Sequence, residues 1–246
     1  MITACLAVFV LTQGQSAQNL NSGAPLVSKM LAHYYGASSM VGEINYTATD
    51  GQGKAGVKTY LQYQSPSQIY IRQDKWGGTT QRTWMVTSDG KYFSYNTPST
   101  VDWSTNDRRL VEPVMQNGVQ LDYKKIYDVA AANSLGDRSM PLDVAIGEKA
   151  DLEHLRLTWV NARDAGPDKI DGKDVHRITG GWRPYGNAVQ DSSVYEMYVT
   201  DEGELLQYAV KRPYLVNNST VWVTETWTVN LKINAIPDPK LFTLVK

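Results

Sequence analysis

The sequence is nearly free of cysteine and poor in phenylalanine. Cys5 is the only cysteine in 246 residues, and three phenylalanines stand against fifteen tyrosines and seven tryptophans. A single cysteine excludes an internal disulfide and a metal site built from several thiolates. Aromatic rings that carry a polar atom suit strands with one wet face and one dry face, so this composition favours a β-rich protein.

The chain also lacks a large net charge of either sign. The 24 basic and 25 acidic residues leave a formal net charge of −1. No overall field therefore draws the chain to nucleic acid or to anionic lipid, and we expect no nucleic-acid partner. With 42% hydrophobic and 20% charged residues, the composition is that of a globular protein. The length suits one large β domain or two small ones.

Long apolar runs are absent except at the start of the chain. Residues 2–11, ITACLAVFVL, are too few to span a bilayer as a helix but match the apolar core of a signal peptide. Small and polar residues follow at 14–17, although no Lys or Arg precedes the run. We expect a signal peptide at 1–17, a linker at 18–24, and a domain at 25–246 that is periplasmic or secreted. A buried N-terminal strand is the alternative interpretation of the run.

The surroundings of Cys5 raise the question of lipidation. Residues 2–5 resemble the lipobox of a lipoprotein, but a lipobox follows its apolar run, and here the run continues after Cys5. An ordinary signal peptide is therefore the favoured interpretation. The mature chain then contains no cysteine, which excludes disulfides, thiolate catalysis and cysteine-ligated metal.

Hydrophobic periodicity predicts helices at the start and in the middle of the chain, with short antiparallel strands on either side. Helices are expected at 25–35 and 121–135, and residues 143–159 fit either a helix or a strand. Strands are expected at 40–48, 57–63, 69–71, 83–86, 92–95, 175–178, 194–199, 205–210 and 221–233. Turns such as Ser88-Asp89-Gly90 and Asp201-Glu202-Gly203 separate them. This order is typical of an α+β fold with one antiparallel sheet and helices on one face.

The strand at 221–233 is the clearest in the chain. Apolar residues from Val221 to Ile233 alternate with a row of threonines and other polar residues. At the usual rise, the strand spans about 43 Å, a length typical of a strongly curved sheet or a barrel wall. Glu225 interrupts its apolar face, which is costly unless the carboxylate is paired or lines a wet cavity.

Two interpretations of Glu225 stay open. It is a polar group inside a binding cavity, together with Glu196, where the two carboxylates could also form a glycosidase pair. Alternatively it lies near solvent at a strand end, or forms an ion pair with Arg177 or Arg212.

Motifs for catalysis or cofactor binding are few. The stretch 51–56, GQGKAG, matches G-x-G-x-x-G, but the strands expected on both sides indicate a hairpin loop and not a dinucleotide site. His33, His154 and His176 lack zinc-ligand spacing, so each is expected to be a partly exposed polar residue. No G-x-S-x-G elbow or Walker A motif occurs. The sequence therefore predicts no catalytic residue, no metal site and no cofactor.

Tyrosine and tryptophan occur on many of the expected strands. Most of these rings should form the core or cross-strand pairs, and some could line a groove for an acyl chain. The candidate cavity-lining residues are Trp84, Tyr195, Tyr208, Glu225 and Trp227.

Four segments follow one another in a particular order after the first helix. They are 65–72 (SPSQIYIR), 86–95 (VTSDGKYFSY), the two strands around the acidic-glycine turn at 194–210, and 236–244 (IPDPKLFTL). Spread over about residues 25–244, this order resembles the LolA/LolB-like lipoprotein carriers. The motifs are short, and none of them is a catalytic signature.

The resemblance implies an unclosed β-barrel whose helices cover a concave, apolar face that holds lipid acyl chains in the periplasm, without a cofactor. It implies a non-enzymatic carrier or sensor that binds a lipid or lipidated protein, with an envelope protein as a further partner. The longer middle, residues 101–166, and the surplus of Tyr and Trp point to a different ligand from that of a plain carrier. The alternatives are a carbohydrate-active hydrolase that uses Glu196 and Glu225, and a structural envelope protein with a filled barrel.

Overall fold

The computed structural model describes residues 21–49, 54–77, 82–98, 108–134, 136, 138–147, 158–182, 193–216 and 219–244. The expected signal peptide with Cys5, the first half of the GQGKAG stretch and His154 lie outside these residues.

Most of the described chain forms one antiparallel sheet of eleven strands. The first strands are β1 (Ser39–Thr49), β2 (Lys54–Gln64), β3 (Gln68–Trp76), β4 (Arg82–Asp89), β5 (Tyr92–Thr97) and β6 (Arg108–Pro113). A separate small hairpin follows, formed by β7 (Met115–Gln116) and β8 (Val119–Gln120). The later strands are β9 (Trp159–Ile170), β10 (Lys173–Trp182), β11 (Val194–Val199), β12 (Leu205–Val216) and β13 (Ser219–Ile233).

The sheet consists of two antiparallel meanders joined along β1 and β13. Its order in space is β6-β5-β4-β3-β2-β1-β13-β12-β11-β10-β9, so β6 and β9 are its edges and the sheet is not closed. The joining pair runs in continuous register from Met40 opposite Ile233 to Thr49 opposite Thr224. The expected α+β class and the antiparallel sheet are confirmed.

Three α-helices accompany the sheet: α1 (Ala24–Tyr35), α2 (Tyr123–Ala132) and α3 (Met140–Ile146). Pro25 occupies the first turn of α1, where its missing N–H costs no hydrogen bond. The side chains of Asp122 and Ser139 cap α2 and α3 by accepting hydrogen bonds from backbone N–H groups. No helix among the described residues is long and apolar enough to cross a bilayer.

One cluster of buried residues connects the helices to both meanders. Leu61, Ile71 and Val86 are register neighbours on three adjacent strands, so they share a face of the sheet. They belong to the same buried cluster as Ile126 of α2 and Leu142 of α3. The helices therefore pack on the apolar face of the sheet.

Several of the described elements differ from expectation, among them β3, which ends at Trp76, and β10, which ends at Trp182. The strand β9 begins at Trp159, although strands were expected to return only after Pro167. Proline is tolerated there because β9 is an edge strand. The strand β12 continues to Val216, six residues beyond its expected end, and the strands β6 to β8 were not expected at all.

Candidate functional site

A cavity of about 520 Å³ lies beside the hairpin of β12 and β13. A second cavity of about 210 Å³ shares part of its lining and reaches across to β2 and β3. The shared lining consists of Arg138, Ser139, Glu225 and Trp227. The larger cavity is also lined by Met140, Asp143, Thr158, Trp182, Tyr208, Val210 and Arg212.

Strand register explains why the hairpin residues face the cavity. Tyr208 lies opposite Trp227, and Val210 lies opposite Glu225. Cross-strand partners share a face, and alternate residues of one strand also share it. Arg212 follows two residues after Val210 and therefore points to the same side.

Glu225 is a buried charged residue of the cavity lining, with a relative exposure of 8%. Its Oε1 accepts hydrogen bonds from Arg212 Nη2 at 2.9 Å and from the hydroxyl of Tyr46 at 3.0 Å. Arg212 Nε lies 2.7 Å from Glu225 Oε2. Burial, followed by the charge of Glu225, raises the pKa of the Tyr46 hydroxyl, so Tyr46 stays protonated and donates. The predicted ion pair is confirmed, and the partner is Arg212, not Arg177.

Aromatic rings hold this ion pair in place. The guanidinium of Arg212 lies 5.2 Å from the ring centroid of Trp182 and 4.7 Å from that of Tyr214. Such contacts favour a cation over an aromatic face. On the other side, Trp227 stacks on Tyr46 at 4.9 Å between ring centroids. The cavity wall is therefore a packed layer of rings around one neutralised charge pair.

The five candidate residues from the sequence fall into two groups. Tyr208, Glu225 and Trp227 line the cavity together. Tyr195 is buried one strand away, with its ring centroid 6.5 Å from that of Tyr208. Trp84 lies on β4, in the other meander, and its ring packs so closely against Gly136 that a Cβ there would come within 2.6 Å.

The sequence missed several cavity residues. Trp182 lies beyond the expected end of its strand, and Met140 precedes the segment that was ambiguous between helix and strand. Val210 ends its expected strand, and only its alternation with Tyr208 could have identified it.

Tyr208 and two neighbouring aromatic residues each have a buried polar atom that makes no hydrogen bond of good geometry within the described part of the chain. These atoms are Trp159 Nε1, Tyr195 Oη and Tyr208 Oη. Burial raises the pKa of both tyrosines, so both hydroxyls keep their protons. An unpaired buried polar group is costly and uncommon, so this cluster is an unusual feature of the region next to the cavity.

The two carboxylates of the hydrolase alternative lie on opposite faces of the sheet. Glu196 lies opposite Ala209, which in turn lies opposite Thr226, whereas Glu225 lies opposite Val210. A glycosidase pair must flank one bond of one substrate. The sheet itself separates Glu196 from Glu225, so these two carboxylates do not form such a pair. Glu196 instead accepts a hydrogen bond from the hydroxyl of Tyr198.

The remaining motif residues have structural roles. His176 is partly exposed, as expected, and its ring nitrogens lie 3.1 Å from Asp164 Oδ2 and 3.2 Å from Asp201 Oδ1. His33 is partly exposed on α1. The GQGKAG stretch leads into β2 and not into a helix, which confirms that it is not a dinucleotide fingerprint. Within the described ranges, no three His, Cys, Asp or Glu side chains are grouped so that they could hold a metal ion.

Neither a protein-family model nor a curated protein matches the sequence, but several solved structures resemble the chain. A Pseudomonas aeruginosa MucA/MucB complex structure matches at 12% identity and a TM-score of 0.44 over 91% of this chain, which covers only 61% of the matched chain. Mycobacterium tuberculosis lipoprotein LppX matches at 12% identity and a TM-score of 0.43, over 88% of this chain and 99% of the other. A LolA superfamily protein from Nitrosomonas europaea matches at 11% identity and a TM-score of 0.30, over 91% of this chain and 98% of the other.

The loose LolA-like resemblance expected from the sequence is thus found again among solved structures. All three TM-scores lie below 0.5 and all three identities below 25%. The likeness therefore gives no information on what this chain binds.

Proposed function

We propose that the chain is a non-enzymatic, LolA-like protein of the cell envelope that binds an acyl chain of a lipid or lipidated protein. The observation that carries the proposal is the cavity of about 520 Å³ beside the β12–β13 hairpin. Its volume lies in the usual range for ligand pockets, and such pockets combine an apolar lining with a few fixed polar groups. Here the apolar lining consists of Met140, Trp182, Tyr208, Val210 and Trp227.

In this proposal the open sheet is a half-barrel, and the helices cover its concave face. The support is that α1, α2 and α3 share one buried cluster with both meanders. The domain at 25–246 follows a signal peptide at 1–17 and a linker at 18–24, which delivers it to the periplasm or the exterior.

The charges around the cavity suit an amphiphile. Arg212 is paired with Glu225, and Arg138 lies 3.3 Å from both Asp128 and Asp143. Because these cations are neutralised, the cavity offers polar groups to a ligand without a net field that would select a small ion. Burial of the acyl chain then supplies the affinity, at about 0.8 kcal/mol per methylene.

We place the ligand against Tyr208, Glu225 and Trp227, with Tyr195 as the layer behind them. Trp84 belongs to the core of the other meander and not to this site. Carrier and sensor roles both follow from such a site, and an envelope protein is the partner that would receive or read the lipid.

The test is to fill the cavity from the helix side. Met140 is a lining residue at the start of α3, whereas Met115 is exposed on β7. Met140→Trp should weaken the binding of a fluorescent fatty acid by roughly tenfold or more, because the larger ring occupies the space of the chain. Met115→Trp is the matched control and should bind as the wild type does.

Equal binding by both variants would contradict the proposal, provided that both unfold at the wild-type urea concentration. A structural envelope protein with a filled barrel would bind no fatty acid at all in this assay.

A further inference from the structure

The hairpin of β12 and β13 extends past the described parts of the strands on either side of it. Pairing with β1 ends at Thr224, and pairing with β11 ends at Lys211. From Arg212 opposite Val223 to Val216 opposite Ser219, the two strands pair only with each other among the described residues. In the described part of the chain, these residues form a two-stranded ribbon at the end of the sheet.

The ribbon exposes apolar side chains on both faces. Leu215 is 75% exposed, Trp222 is 45% exposed, and Tyr214 is 37% exposed. Trp222 lies opposite Pro213, which alternates with Leu215, whereas Tyr214 lies opposite Val221 on the other face. These three residues are called the hairpin tip below. Large exposed apolar side chains on neighbouring positions of one hairpin are a candidate interaction surface.

The charge of the ribbon is of one sign. Residues 211–224, KRPYLVNNSTVWVT, contain Lys211, Arg212 and no acidic residue, but Glu225 neutralises Arg212, so the charge that remains is that of Lys211. Lys211 Nζ lies 5.4 Å from the ring centroid of Trp222, and Arg212 is the partner of Glu225 at the base of the ribbon. The net charge of the whole chain is −1, so any attraction to an anionic surface is local to such a segment.

We propose that the hairpin tip docks on an anionic lipid surface. Tryptophan and tyrosine prefer the boundary between headgroups and acyl chains, because their rings are apolar and their edges are polar. Leu215 would enter the acyl boundary, while the ammonium of Lys211, beside the ring of Trp222, would reach the phosphates. The absence of a carboxylate from residues 211–224 removes the group that a negative surface would repel.

The position of the ribbon links this surface to the cavity. Tyr214 and Arg212 lie on the same face as Val210 and Glu225, which line the cavity. Docking at the tip would therefore place the cavity mouth next to the lipid surface. The docking itself does not depend on the proposed ligand, because the tip lies outside the cavity lining.

The experiment measures co-sedimentation with two kinds of vesicle, one of phosphatidylglycerol and phosphatidylcholine in equal parts and one of phosphatidylcholine alone. The wild type should bind the anionic vesicles more tightly, and added salt should weaken this binding. The double variant Leu215→Ser, Trp222→Ser should lose roughly tenfold or more in apparent affinity.

Ile236→Ser is the matched control. Ile236 is 95% exposed, the most exposed large apolar residue among those described, and it follows the other end of β13. If vesicle binding were nonspecific hydrophobic adsorption, this variant would lose as much affinity for the vesicles as the tip variant. We expect Ile236→Ser to bind as the wild type does.

A second measurement labels an introduced cysteine in a chain whose only native cysteine, Cys5, has been replaced. On a Cys5→Ser background, an environment-sensitive dye at Leu215→Cys should shift to the blue on anionic vesicles, and the same dye at Ile236→Cys should not. The proposal is overturned if anionic vesicles do not bind, if the tip variant binds as the wild type does, or if the two dyes respond alike. A tip variant that instead dissociates a wild-type dimer in sedimentation would assign the surface to a second copy of the chain and also overturn it.

Discussion

Glu225 shows how one residue connects the stability of the sheet to the cavity. It lies in the longest strand, nearly buried, and accepts hydrogen bonds from Arg212 and Tyr46. Removing one charge of a buried ion pair destabilises a protein more than replacing both charges by apolar residues, because the remaining charge is left buried without a partner. Arg212 would then lie between Trp182 and Tyr214 with no carboxylate beside it.

Glu225→Gln should therefore lower the free energy of unfolding by about 2 kcal/mol. The comparison is Glu43→Gln, which removes the partner of Lys58 in an exposed ion pair of similar length, 2.9 Å. That change should stay within about 0.5 kcal/mol, because exposed pairs contribute little. Urea unfolding followed by circular dichroism measures both, and equal losses would show that burial of Glu225 does not matter.

The sequence predicted the position of Glu225 but not its surroundings. Alternation along 221–233 places the carboxylate on the apolar face, and this placement is observed. The choice between Arg177 and Arg212 needed the register of neighbouring strands, which alternation within one strand does not contain. The same register separates Glu196 from Glu225 and rules out the pairing of these two carboxylates.

The turn between β11 and β12 is an element that fixes the first helix to the sheet. Gly203 adopts a φ of +93°, which L side chains rarely adopt. A Cβ there would lie 3.0 Å from the backbone oxygen of Lys29 in α1. The hydroxyl of Tyr34 in α1 also accepts a hydrogen bond from the N–H of Leu205. The turn therefore packs directly on the helix backbone.

Replacing Gly203 by alanine tests this contact. Gly172, in the turn between β9 and β10, has a φ of +80° but nothing within 4 Å of its would-be Cβ. Gly172→Ala should cost about 1 kcal/mol for the backbone conformation alone. Gly203→Ala should cost about 2 kcal/mol or more, since the helix backbone must also move. If thermal unfolding gives the same loss for both, the turn does not support α1.

Among the elements, those with strong local signals were predicted well. The helix α1 and the hairpins closed by aspartate-glycine or acidic-glycine turns lie where the sequence placed them. The strand β9 was missed because Gly166 and Pro167 argue locally against a strand. The strand β6 was missed because it is an edge strand that forms by pairing with β5, a tertiary contact that leaves little local pattern.

On the scale of the whole molecule, the class and the layering follow from the order of elements, whereas the cavity does not. Antiparallel meanders on both sides of middle helices predict one sheet with helices on one face. The cavity depends on how far the segment before α3, with Arg138 and Ser139, lies from Trp227 and Glu225. Space that no side chain fills has no signature in the sequence, which is why Met140 and Trp182 were not anticipated.

The measurement that tests lipid binding most directly is native mass spectrometry of protein purified without detergent, followed by organic extraction. The wild type and Met115→Trp should carry an extra mass that extraction releases as an acyl lipid, and Met140→Trp should not. Wild-type protein that is free of lipid in every preparation, and that takes up no added fatty acid, would contradict the proposed function.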